Sequence, residues 1–328
     1  MLHDNKVTAP AVDDVRRLRD TLSRWLIRTP VVRCRSLELS LGIDAEIFGK
    51  MEFLQQTGTF KPRGALANVL ALDQEQLDAG ITAVSAGNHA IAAAFAAKAV
   101  GTSAKVVMMR TASPVRIEAC RAYGAEVVLV DDVYAAFELV DEIKDREGRA
   151  FVHPFEGPNV TTGTATVGLE ICEQVADFDV IIVPIGGGGL CSGIASAVKQ
   201  INPECEVIGV EPSGADSMSR SFASGHAVKL DTVTTIADSL GAPFALPYSF
   251  QICQRYVDDL VLISDDQMRD AMGILFREMK MAVEPACAAS TAALAGPLRD
   301  YCVGKKVVLV FCGSNIDWLT FEKHARFS

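Results

Sequence analysis

From residue 81 onward the chain repeats one rhythm: a short apolar run, a turn rich in Gly, Ser or Asp, then a helical stretch. No other feature constrains the fold as much. Apolar runs of this kind need cover on both faces, which a parallel sheet flanked by helices provides. ITAVS (81–85), AKVVMM (104–109), EVVLV (126–130) and AFVH (150–153) read as four strands, joined by helices at about 89–100, 114–122 and 133–146. The middle helix is marked at both ends, with Ser113 at its cap, Pro114 at its first position and Gly124 beyond its end. A second set follows: DVIIVPI (179–185), EVIGVE (206–211), DDLVLIS (258–264) and KKVVLVF (305–311), with helices near 163–176, 190–201, 265–282 and 285–299. Two groups of four strands predict an α/β protein of two domains, each a mostly parallel sheet covered by helices. The segment WLIRTPVVRCRSLEL precedes the first group, so the smaller domain is expected as an insertion, at 69–154, between two parts of the larger one, 1–68 and 155–328. A ligand then sits between the domains, at the carboxyl ends of strands.

The chain's size, 328 residues, and its 49% hydrophobic content fit a globular protein with a large core. Its net charge is −10 and its basic residues are scattered, so no footprint for nucleic acid or an anionic membrane is expected, and the partner is a small molecule. Nine cysteines without a C-x-x-C pair argue against a disulfide framework and a zinc site, and point to a reducing cytoplasm. The N-terminal MLHDNKVTAPAVDDVRRL lacks the apolar core of a signal peptide. No apolar run approaches the roughly 18 residues of a membrane span.

Four stretches carry chemistry. In TGTFKPRGALANVLAL (57–72), Lys61 stands before Pro62, which is favoured at the first position of a helix, and so reads as the last residue before that helix. The positive helix start and Arg63 both disfavour its protonation, as burial would, giving a nucleophilic amine; a solvated lysine at a helix mouth is the other reading. In VPIGGGGLCSG, Gly186 to Gly189 lie between strand and helix, where backbone N–H groups converge on a phosphate. Neither glycine pairing completes G-x-G-x-x-G, and no G-K-[ST] follows. Glu211, ending the next strand, imitates a ribose-binding acid, which keeps an NAD-dependent oxidoreductase as an alternative. In SAGNHA (85–90), the backbone and the Ser85 hydroxyl suit a carboxylate, Asn88 offers donor and acceptor, and His89 reads as structural more often than as a base. In VFCGSNID, Cys312 ends a strand, either as a buried small hydrophobe or as a thiol or thiolate facing the cleft.

An amine, a phosphate cradle, a carboxylate-binding helix start and a polar strand end together describe pyridoxal 5′-phosphate chemistry on an amino acid. From about Ile27 to Asp317 the chain resembles the fold-type II pyridoxal-phosphate enzymes, with a tryptophan synthase β-like architecture, and within them the serine/threonine dehydratase (ammonia-lyase) and serine racemase group. The resemblance implies that Lys61 carries the cofactor, Phe60 packs on its ring, Asn88 bonds the ring hydroxyl, Gly186, Gly187, Gly188 and Gly189 with Leu190 hold the phosphate, and Cys312 faces the pyridine nitrogen. It further implies that Ser85, Ala86, Gly87, Asn88 and His89 bind the substrate carboxylate, and that the protein is a homodimer. Some relatives bind a mono- or divalent cation through EPSxAD; Glu211 and Ala215 match that pattern, while Ser217 replaces an acid. Gly163-Thr164-Ala165-Thr166, Cys287 and the segment 238–250 also depart from the group's usual pattern.

The activity implied is β-elimination: a β-hydroxy amino acid such as L-threonine or L-serine gives a 2-oxo acid and ammonia. Racemisation by the same fold is the alternative. Ala86 stands where racemising relatives have a serine, and its side chain has no proton to return to Cα, which favours elimination. The chain continues only to Ser328, so feedback inhibition by a distant amino acid such as isoleucine is not expected.

Overall fold

A computed structural model describes residues 7–327. Its strands are β1 (Val31–Arg33), β2 (Glu46–Lys50), β3 (Ile81–Val84), β4 (Ala104–Met109), β5 (Glu126–Val130), β6 (Ala150–Phe151), β7 (Val180–Pro184), β8 (Glu206–Pro212), β9 (Asp259–Ile263) and β10 (Lys306–Val310). They form two sheets. The first has six strands in the order β1-β2-β10-β7-β8-β9, parallel throughout except for β1 against β2. The second has four parallel strands in the order β5-β4-β3-β6.

The apolar runs are buried as their composition demands. Every residue of β3 and β7 is buried, because helices cover both faces of their sheets. The larger core gathers β7, β8 and β10 with the helices Gly189–Ile201 and Pro285–Ala295. The smaller core gathers β3 and β4 with the alanine-rich helix Asn88–Val100. Leu66 and Val69 of the helix Lys61–Leu70 also belong to it, as do Leu22 and Leu26.

All eight sequence-predicted strands are present, but the larger sheet has six strands rather than four. β1 and β2 went unread because β1 spans three residues and β2 carries Gly49, which normally weakens a strand. Here the ring of Phe311 lies against Gly49 where a Cβ would stand. Some boundaries moved as well. The helix expected near 163–176 begins at Pro158, after Gly157 at φ +101°. The helix expected over 265–282 ends at Met279, where Lys280 turns left-handed. Ser113 occupies its cap position without a side-chain cap bond.

Candidate active site

Carboxyl ends of both sheets converge on one cleft: Ser85 follows β3, Gly186 follows β7 and Cys312 follows β10. Lys61 is placed by its neighbours in the chain. The Phe60 N–H donates to the Cys312 carbonyl at 3.1 Å, and Thr59 bridges to Gly313, which docks the lysine segment on the end of β10. Lys61 is the first residue of its helix rather than the residue before it. Its Nζ donates to the Pro154 carbonyl at 2.7 Å and stands 5.1 Å from the Phe60 ring centre. Burial lowers its pKa to about 8, against the opposing pull of Glu284.

The direction of that shift matches the sequence reading, but Arg63 is not its cause. The Arg63 guanidinium turns away into the core, pairing with Glu52 (2.8 and 2.9 Å) and Glu170 (2.8 and 2.9 Å) and donating to Thr166. Lys50 joins the same network through Glu170 at 2.6 Å. The charge of Arg63 is compensated there, and its pairs join the lysine helix to the short turn Glu52–Leu54 after β2 and to the helix Pro158–Gln174.

The four glycines meet a crowded wall. Gly188 has φ +91°, a left-handed conformation, and a Cβ on Gly187 would overlap the ring of Phe155. Gly189 opens a 13-residue helix, so its first N–H groups face the cleft. Thr164 donates to the Gly189 carbonyl at 2.7 Å. The unusual Gly163–Thr166 stretch thus supports the glycine loop from behind.

In the loop after β3, Ser85 Oγ accepts from the Gly87 N–H at 3.1 Å, and Ala86 is half-buried. Asn88 Nδ2 donates to Glu284 Oε1 at 2.7 Å, and its Oδ1 accepts from Asn315 Nδ2 at 2.8 Å. His89 Nε2 lies 2.8 Å from the Val152 carbonyl, and burial, then the charge of Lys61, lowers its pKa to about 3. Its ring is therefore a neutral structural group.

Sequence reasoning missed Glu284, Asn315, Arg116 and Asp238. An acid before a proline reads as a helix cap, yet Glu284 makes no cap bond and turns into the cleft. Its Oε2 is buried without a hydrogen-bond partner, and Arg116 is 3.9 Å away. Burial pushes Glu284 up to about 7. Arg116 pairs with Asp238 and donates to the Asn315 carbonyl at 2.9 and 3.2 Å. Cys312 is 3% exposed; the adjacent Cys287, together with burial, raises its pKa well above the usual value and keeps it a thiol.

Glu211 has a different task from the one expected of it. Its carboxylate accepts from the N–H groups of Met218 and Ser219 (both 2.8 Å) and from Ser219 Oγ (2.6 Å), at the start of the helix Ser217–Ser224. It is committed to that helix rather than free for a ribose. Among the described residues no group of three or more His, Cys, Asp or Glu has metal-binding proximity, and no helix is long and apolar enough to cross a membrane.

Lys61, Asn88, the loop Gly186–Leu190 and Cys312 line one enclosed cleft. A buried amine, a glycine cradle, a thiol and a carboxylate with an orphaned oxygen fit a phosphorylated aromatic aldehyde. The chain belongs to the pyridoxal-phosphate dependent enzyme family, whose pattern matches residues 22–313, and its cofactor is pyridoxal phosphate. That membership displaces the nicotinamide alternative. The chain is 50% identical to phenylserine dehydratase of Ralstonia pickettii over 317 residues, 97% of each chain. It is 38% identical to L-threonine ammonia-lyase of Thermotoga maritima, over 93% of this chain and 76% of that one. The solved structure of maize serine racemase superposes with a TM-score of 0.90 at 34% identity, covering 96% of this chain and 97% of that one.

Proposed function

We propose that the chain catalyses β-elimination of a β-hydroxy amino acid to a 2-oxo acid and ammonia. The observation that carries this reading is the buried Lys61 amine, with its pKa lowered to about 8, in a cleft shared with the glycine loop and the loop 85–89. The names of the relatives, phenylserine dehydratase and L-threonine ammonia-lyase, support it.

Bound pyridoxal phosphate supplies the electron sink that makes the substrate Cα–H acidic. The residues of the chain do the rest. Gly186 to Gly189 and Leu190 hold the phosphate through backbone N–H groups at a helix start. Phe60 packs on the ring, Asn88 bonds its hydroxyl, and Cys312 presents a neutral S–H to its nitrogen. Ser85, Ala86, Gly87, Asn88 and His89 bind the substrate carboxylate, His89 through its backbone. Lys61 Nζ takes the proton from Cα, and the β-hydroxyl leaves as water. Incubation with L-threonine, L-serine and L-3-phenylserine, with 2-oxo acid and ammonia measured together, tests the reaction. Lys61→Ala should lower turnover at least about 100-fold, as loss of a positioned base does, and should abolish the visible absorbance of the lysine-bound cofactor. A variant that keeps its rate would remove Lys61 from the proton-transfer role.

Racemisation is the second reading, favoured by the likeness to serine racemase. Against it, Ala86 lines the cavity without a proton to give. The reading carries a division at 1–68, 69–154 and 155–328, supported by the two sheets, although the helix Lys61–Leu70 crosses its first boundary. It also carries a cytoplasmic homodimer, supported by nine free cysteines and by the exposed Trp318 and Leu319. Gel filtration with light scattering tests the dimer.

A further inference from the structure

One wall of the cavity beside Lys61 is apolar and offers no hydrogen bond to the cofactor or the carboxylate. Phe137 from the helix Val133–Glu147, Phe155 from the loop after β6, Met109 from the end of β4 and Val84 from the end of β3 line it. Phe244 packs against both phenylalanine rings, at 6.0 Å from Phe155 and 6.4 Å from Phe137. Phe155 directly follows Pro154, whose carbonyl holds the Lys61 amine. The aromatic wall therefore begins one residue from the carbonyl that holds the proposed base.

Phe155 is also held in place. Its N–H donates to His153 Nδ1 at 3.2 Å, the His153 ring meets it edge-on at 4.7 Å, and Gly187 leaves room for its own ring by having no side chain. A fixed, half-buried ring facing a cavity is a partner for a flat apolar group. The cavity is about 200 Å³, and an apolar cavity of about 150 Å³ admits benzene. A second carboxylate finds no free cation here among the described residues. Arg116, the cation lining this cavity besides Lys61, is paired with Asp238 and with the Asn315 carbonyl.

We propose that this wall is the side-chain subsite and takes an aryl group on the β-carbon, so that the substrate is a 3-aryl-3-hydroxy amino acid. This inference rests on the β-elimination reading. The Cα–H and Cβ–OH bonds break and the Cα–Cβ double bond forms as water leaves. Tautomerisation and addition of one water then release ammonia, so the net products are a 3-aryl-2-oxo acid and ammonia.

The test uses the holoenzyme with L-3-phenylserine and L-threonine. We expect kcat/KM for phenylserine to exceed that for threonine at least about ten-fold, within the range a well-fitted apolar pocket gives. Phe155→Leu and, independently, Phe137→Ala should each reduce that ratio about ten-fold or more. Equal use of both substrates, or variants that lower both rates by the same factor, would overturn the subsite. A binding readout separates the two ideas. L-phenylalanine, which has no hydroxyl to lose, should perturb the visible absorbance of the bound cofactor at lower concentration than L-alanine. If no hydroxy amino acid yields a 2-oxo acid but L-phenylalanine still binds more tightly, the elimination reading fails and the aryl subsite stands. Equal half-saturation by the two amino acids overturns the subsite even if elimination is observed.

Discussion

Asn315 donates from its side-chain amide to Asn88 Oδ1 at 2.8 Å, so the loop after β10 fixes the amide that opens the helix after β3. With Asn88 Nδ2 given to Glu284, the orientation of that amide is set on both sides. Asn315→Ala should free it. One hydrogen bond contributes about 0.5–1.5 kcal/mol, so cofactor affinity should fall about two- to ten-fold, as read by titrating pyridoxal phosphate into the stripped protein. Unchanged affinity would mean that Glu284 alone orients Asn88.

Glu284 and Glu211 are both raised by burial to about 7. Each holds in the folded state a proton that the unfolded chain gives up near the ordinary carboxylate value. Their contribution is fully present below that value and is lost as pH rises through about 7. Urea midpoints should therefore fall between mildly acidic and mildly alkaline pH, and Glu284→Gln should flatten that fall. The same slope in the variant would show that the carboxyl does not titrate in this window.

The Arg63 network predicts a large stability effect from side chains that do not line the cofactor cleft. Removing one partner of a buried ion pair leaves the other charge uncompensated, at a cost of about 3–5 kcal/mol. Arg63→Ala strands Glu52 and leaves Glu170 with Lys50 alone. Its denaturation midpoint should drop accordingly, while Arg63→Lys should recover only part, because one ammonium cannot serve two carboxylates in paired fashion. A loss under about 1 kcal/mol would show that water reaches the network.

Ala86 separates elimination from racemisation. Wild-type protein incubated with L-serine should form pyruvate with little D-serine. Ala86→Ser places a hydroxyl in the cavity and should bring measurable D-serine. Chiral chromatography reads both, and D-serine appearing as fast as pyruvate in the wild type would support the racemase reading.

The alternation of apolar runs made both sheets legible, and four glycines in a row marked the phosphate loop. Lys61 was found because proline punctuates the chain beside it. Arg63 was misread because sequence shows that a charge is near, not which way it points; its partners lie 11 and 107 positions away. Glu284 was hidden by the ordinary look of an acid at a helix start. Phe155 looked like any loop aromatic, and its meaning comes from Gly187, which lies on another strand end.

The position of β10 has a consequence for how the chain is made. It lies inside the larger sheet, between β2 and β7, and its end carries both Cys312 and the anchor for Phe60. The ribosome delivers this strand after the other nine. Until 306–313 has emerged, β2 and β7 have no partner between them, and Thr59 and Phe60 lack their backbone partners at Gly313 and Cys312. Such late, long-range closure is slow relative to local folding. A nascent chain can assemble its smaller sheet early, but the cofactor cleft is completed only once β10 and the loop after it have emerged.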